Sequence, residues 1–118
     1  MSMEKLVDEV KECIEREYGR AGAKYGLTHN SEHESYAILL EEMEEAEDEL
    51  KLCKSALEKY WNQVKTDLKV DKFKLDSLNV VYSRALLGAC ELIQVAAMAK
   101  KASLTICDKN AIKEFKGE

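Results

Sequence analysis

The chain has 118 residues, 46% hydrophobic and 35% charged, with no proline and only five glycines. That length fits one domain spanning 1–118, and the missing proline favours long uninterrupted helices over short strands with tight turns. A net charge of −5 and a pI near 5.2 exclude the basic face that duplex nucleic acid requires.

The opening Met1-Ser-Met-Glu-Lys-Leu-Val-Asp-Glu9 puts acids where a secretory leader carries its apolar core, and a cytoplasmic protein is expected. A first helix is predicted from about Met3 to Ala21, with Leu6, Val10, Cys13, Ile14 and Glu17–Tyr18 recurring at three and four. Gly19, Gly22 and Gly26 weaken the pattern, and a loop is expected over Gly22–Asn30.

Ser31-Glu-His-Glu34 matches a capping box, with Ser31 as N-cap and Glu34 reaching back. From Tyr36 through Leu39, Met43, Ala46, Leu50, Cys53, Leu57, Trp61 and Val64 the stripe continues. It predicts a helix of about thirty residues, long for a small domain. A charged connector is expected over Lys69–Leu75. A third helix capped by Asp76 or Ser77 then runs to about Ala102, and Asp108 caps a short fourth helix to Phe115. The tail Lys116–Glu118 is expected to fray. The fold class is therefore all-α: an antiparallel bundle of about four helices with one long central helix. Apolar surface such as Leu57, Trp61 and Val64 exceeds what one copy covers, so a homodimer or homotetramer is expected.

The four cysteines, Cys13, Cys53, Cys90 and Cys107, form no C-x-x-C pair and read as reduced thiols of no metal site. No apolar run is expected to reach the length of a membrane span, the Ala85–Ala99 stretch being short and interrupted. That stretch is nonetheless apolar nearly all round, the mark of a buried helix. Glu91 is its only charge, and Gln94 lies three places on along the same side. An unpaired carboxylate in such surroundings is costly and normally has a metal, a cation or a raised pKa.

Glu41–Glu49 holds seven acids in nine residues. Solvated helix faces account for most charge runs, yet here like charges repel at three- and four-residue spacing with no lysine before Lys51. Glu42 borders the apolar stripe, Glu45 follows one turn later, and Glu44 and Asp48 turn to solvent. Glu42, Glu45 and Glu91 with the Gln94 amide make an oxygen-only set suited to Mg²⁺, with Mn²⁺ as a substitute. The bland alternative for Glu91 is an ion pair with a basic residue of another helix. Arg84, two turns back on its own helix, is too distant for a good direct pair.

The segment His33–Glu45, followed by Glu91-Leu-Ile-Gln-Val-Ala-Ala-Met98, resembles the MazG-like all-α nucleoside triphosphate pyrophosphohydrolases, especially the short phage-type members. That family carries E-E-x-x-E on one helix and E-x-x-D on a later one. Glu41, Glu42 and Glu45 match the first motif and Glu91 opens the second, whereas Gln94 stands at the family's aspartate. The gap between the motifs is also longer than usual. The resemblance covers about Asn30–Ala102. It implies Mg²⁺ held by Glu42, Glu45 and Glu91, with Gln94 a weak fourth ligand and Glu41 and Glu45 as the catalytic acids. Glu41 would orient the water that cleaves a nucleoside triphosphate to monophosphate and pyrophosphate. The alternative is a catalytically silent oligomer that keeps the fold.

His29-Asn-Ser-Glu-His33 matches the H-x-x-E-H of inverted zinc peptidases. A cap at Ser31 separates the two histidines, so cap-region histidines are expected instead. No phosphate-binding loop and no Glu-x-x-His pair of di-iron bundles occurs.

Overall fold

A chain without proline yields three helices and no strand among the described residues. The computed structural model describes residues 2–115, with side chains over 2–108. Helix α1 spans Met3–Tyr25, α2 spans Glu32–Lys65 and α3 spans Asp71–Phe115.

Three helices replace the expected four. Asp108 caps nothing, because α3 runs through it to Phe115; no glycine or proline there breaks the backbone. The third helix also starts earlier than expected, at Asp71. The charges that read as a linker instead pair along the helix, Lys72 with Asp76 and Lys74 with Asp71, spacings that support helix. The tail Lys116–Glu118 lies outside the described residues.

The caps show why the helices end where they do. Ser2 accepts from the Lys5 amide at the start of α1. At its far end Gly26 takes φ +92° and its N–H reaches Gly22 O at 2.9 Å, a backbone state open mainly to glycine. The loop is accordingly shorter than expected. Ser31 caps α2 as expected, accepting from Glu34 N at 3.1 Å. The reciprocal half of the box differs: the Glu34 carboxylate takes the Asn30 side-chain amide at 3.0 Å. Helix α2 ends in a Schellman turn, with Leu68 N to Gln63 O and Asp67 N to Val64 O both 3.0 Å and Asp67 left-handed at φ 52°.

Contacts group the chain into two units, Met1–Glu42 with Leu92–Glu118, and Met43–Glu91. In the first, Ala21, Ala97 and Met98 form a core, with Ile14, Tyr18, Ile38 and Leu39 packed against it. Gly22 is buried under Leu27, where an added Cβ would meet Leu27 Cδ2 at 2.6 Å. A polar knot ties the α1–α2 loop down: buried His29 donates its backbone N–H to Thr105 Oγ1 at 2.8 Å, and its Nδ1 lies 2.6 Å from Ser35 Oγ.

The second unit is an antiparallel hairpin of the later part of α2 and the earlier part of α3. Its seam is narrow: Ala46 and Ala56 are buried, Ser77 Oγ lies 3.0 Å from Gln63 Oε1, and Cys53 Sγ approaches Val81 O at 3.7 Å. The expectation that Ala85–Ala99 is enclosed on all sides is corrected. Ala97 is fully buried, but Leu86 and Leu92 are each more than half exposed. By length and composition α3 is also long and apolar enough to cross a membrane, which a short reading of its apolar run missed. All four cysteines are free thiols, Cys13 and Cys53 half-buried, Cys90 and Cys107 exposed.

Candidate functional site

Glu45 and Glu91 face each other across the hairpin, and Glu42 sits one turn before Glu45 on the same helix. One carboxylate oxygen from each lies within 4.8 Å of the other two. The three helical positions arise simply: residues three apart on α2 share a side, and α3 turns its isolated acid toward them. Glu42 and Glu91 are half-buried and Glu45 is exposed.

The electrostatics are those of crowded acids. Partial burial holds the Glu91 carboxyl above the usual carboxylate range. A hydrogen bond with Glu45, then the charges of Glu45 and Glu49, push it further in that direction. Among the described residues no ion pair joins Glu91 to a lysine or arginine, so the bland pairing does not form. On the same helix Arg84 is committed elsewhere: its Nη1 lies 3.2 Å from Glu49 Oε2. Arg84 therefore compensates Glu49 and leaves the Glu45–Glu91 pair with its repulsion.

A three-carboxylate group of this kind fits a hard divalent cation. Beside Glu49 and Arg84 the hairpin also carries a cleft of about 320 Å³, lined by residues including Leu52, Ser55, Lys59, Ser77 and Val80.

The remaining expected site residues are placed differently. Glu41 is exposed and is not among the three converging acids. Gln94 is half-buried and uses its amide on α1, donating from Nε2 to Glu17 Oε1 at 2.8 Å. Glu17 was missed as a site neighbour. Its signal was visible, since it is a carboxylate inside the apolar stripe of α1. Its carboxyl is held below the usual range mainly by the hydrogen bond from Arg20, with Gln94 adding to it against partial burial. His29 and His33 do not converge, because His29 is buried in the loop and His33 is exposed on α2.

Comparison with family models, curated proteins and solved structures gave no match to this chain.

Proposed function

We propose that the chain is a divalent-cation-dependent nucleoside triphosphate pyrophosphohydrolase of the MazG-like type, acting in the cytoplasm. The observation that carries this reading is the convergence of Glu42, Glu45 and Glu91 within 4.8 Å, with no ion pair between Glu91 and a basic side chain among the described residues. A divalent cation would offset the charge that Glu45 and Glu91 bring together.

Glu42, Glu45 and Glu91 would hold Mg²⁺, or Mn²⁺ in its place. When bound, the cation neutralises triphosphate charge and acidifies the attacking water. The protein's own part is to hold three carboxylate oxygens together, with partial burial and the neighbouring Glu45 keeping the Glu91 carboxyl above the usual carboxylate range. Glu41, one turn before Glu45, stands on the same flank of α2 and would orient the water that attacks the α-phosphorus. Monophosphate and pyrophosphate would leave, with one proton released.

A second reading, a catalytically silent helical assembly, is favoured by one observation: Gln94 spends its amide on Glu17. A panel of nucleoside triphosphates with millimolar Mg²⁺, read by pyrophosphate release, separates the two. Turnover that Glu91→Gln lowers by at least about 100-fold supports the enzyme. No pyrophosphate from any triphosphate, in the original chain and in Gln94→Asp alike, leaves the silent assembly.

A further inference from the structure

Small residues open a groove in the Met43–Glu91 hairpin. On α2, Leu52, Ser55, Ala56 and Lys59 recur at three- and four-residue spacing and so share one side of the helix. On α3, Ser77, Val80 and Arg84 do the same. Ala56 and Ser77 are buried, and their short side chains leave a cleft of about 320 Å³ between the helices. That volume falls at the lower end of the roughly 300–1,000 Å³ of small-molecule pockets. None of Glu42, Glu45 and Glu91 lines it.

The lining is rich in donors. Lys59 is exposed and forms no ion pair among the described residues, so its ammonium brings three N–H groups to the cleft. Arg84 is engaged through Nη1 alone, 3.2 and 3.5 Å from the two carboxylate oxygens of Glu49. Its Nε and Nη2 make no hydrogen bond among the described residues. Glu49 thus holds one edge of the guanidinium, which orients the other before a ligand arrives. The Ser55 hydroxyl is likewise without a partner there. Against these donors stands one carboxylate, Asp76, which lies 3.7 Å from Lys72. Leu52, Ala56 and Val80 supply the apolar remainder.

We propose that this cleft binds a small phosphate monoester with an apolar body, the phosphate drawn by Lys59 and Arg84 and the body lying against Leu52 and Val80. Charge chooses the class. Two cations match a phosphate dianion better than a carboxylate, and N–H donors have nothing to offer a metal ion. A neutral apolar ligand would strip water from the lysine and the spare arginine edge and return no hydrogen bond. The site stands apart from the three acids and does not rest on what they bind.

The test uses phenyl phosphate, titrated into the isotope-labelled full chain in EDTA at neutral pH and followed by backbone amide shifts. Saturable shifts are expected within residues 52–59 and 76–84, with a Kd of about 1 mM. Benzoate and phenol should each bind at least about tenfold more weakly. Lys59→Gln and Arg84→Gln should each weaken phenyl phosphate about tenfold. Lys54→Gln, at an exposed lysine outside the cleft, should leave it unchanged. Several results would overturn the proposal: no saturation by about 20 mM, twenty times the expected Kd; shifts centred outside the two segments; benzoate or phenol as tight as phenyl phosphate; or equal losses in Lys54→Gln and Lys59→Gln. Arg84→Gln also strips Glu49 of its partner, so if that variant loses helix by circular dichroism, Lys59→Gln decides alone. Because EDTA removes divalent cations, failure here is distinct from failure of triphosphate turnover.

Discussion

The two units solve the same packing problem unequally. In Met1–Glu42 with Leu92–Glu118, segments of three helices enclose Ala97 completely, and His29, Ser35 and Thr105 lock a loop onto two of them. In Met43–Glu91 two helices share one seam of small residues, while Trp61 and Tyr82 stay exposed. Three helix segments can surround an interior and two cannot, so the same amphipathic pattern closes in one unit and remains open in the other. The difference locates function as well as stability. Acids can crowd at Glu45 and Glu91 because the hairpin spends little of its surface on a core of its own.

Enlarging a buried alanine should expose this contrast most strongly. Ala97→Leu is expected to cost about 2–3 kcal/mol in urea unfolding, since overpacking an enclosed site forces neighbours off their rotamers. Ala56→Leu, in a two-helix seam free to splay, should cost less than about 1 kcal/mol. Equal losses would break the comparison.

His29 sharpens it through pH. Burial first, then the charge of Lys101, holds the imidazole below its usual value, with Glu34 opposing. The folded protein therefore resists a proton that the unfolded chain accepts near pH 6.5. Stability should fall as pH drops from about 6.5 toward the lowered folded value, and should be level above it. His29→Gln should flatten that slope while costing about 1–2 kcal/mol through the lost Ser35 contact. A slope unchanged in His29→Gln would assign it to other groups.

Much of this arrangement was legible in the sequence where one helix decides the outcome. The Ser31 cap, the long α2 stripe and the approach of Glu42 and Glu45 to Glu91 all follow from periodicity. What failed depended on a neighbour. Gln94 was expected beside the acids because it shares a side with Glu91, but three residues turn the helix by about 60° short of a full circle, enough to hand its amide to Glu17. Asp71–Leu75 was read as a connector because its charges were counted, not their spacing. Nor does any local pattern tell how much of an apolar helix its own chain will cover, and α3 was judged enclosed on that ground.

Glu91 gives a smaller effect with two independent signs. Its folded carboxyl is raised, so the ionised form costs stability at neutral pH. That cost fades as pH falls through the raised value toward the ordinary carboxylate range. Glu91→Gln without divalent cations should therefore stabilise at pH 7 by a few tenths to about 1 kcal/mol, and by nothing near pH 4. Millimolar Mg²⁺ should raise the Tm of the unmodified chain and leave Glu91→Gln unmoved. A cation response that survives in both Glu91→Gln and Glu45→Gln would place the binding elsewhere.

The smallest expected change lies at the turn joining the hairpin. Asp67 holds the left-handed position of the Schellman turn at φ 52°, a state that aspartate tolerates and glycine adopts without a Cβ penalty. Its carboxylate pairs with Lys69 at 2.9 Å, but both side chains are more than 80% exposed, so the pair adds little. Asp67→Gly should stabilise by about 0.5 kcal/mol in urea unfolding. Because the two helices of this unit have only one seam to hold them, the geometry of their turn should count for more here than the equivalent loop does in the enclosed unit. A loss on Asp67→Gly would mean that the Lys69 pair, not the backbone, sets this corner.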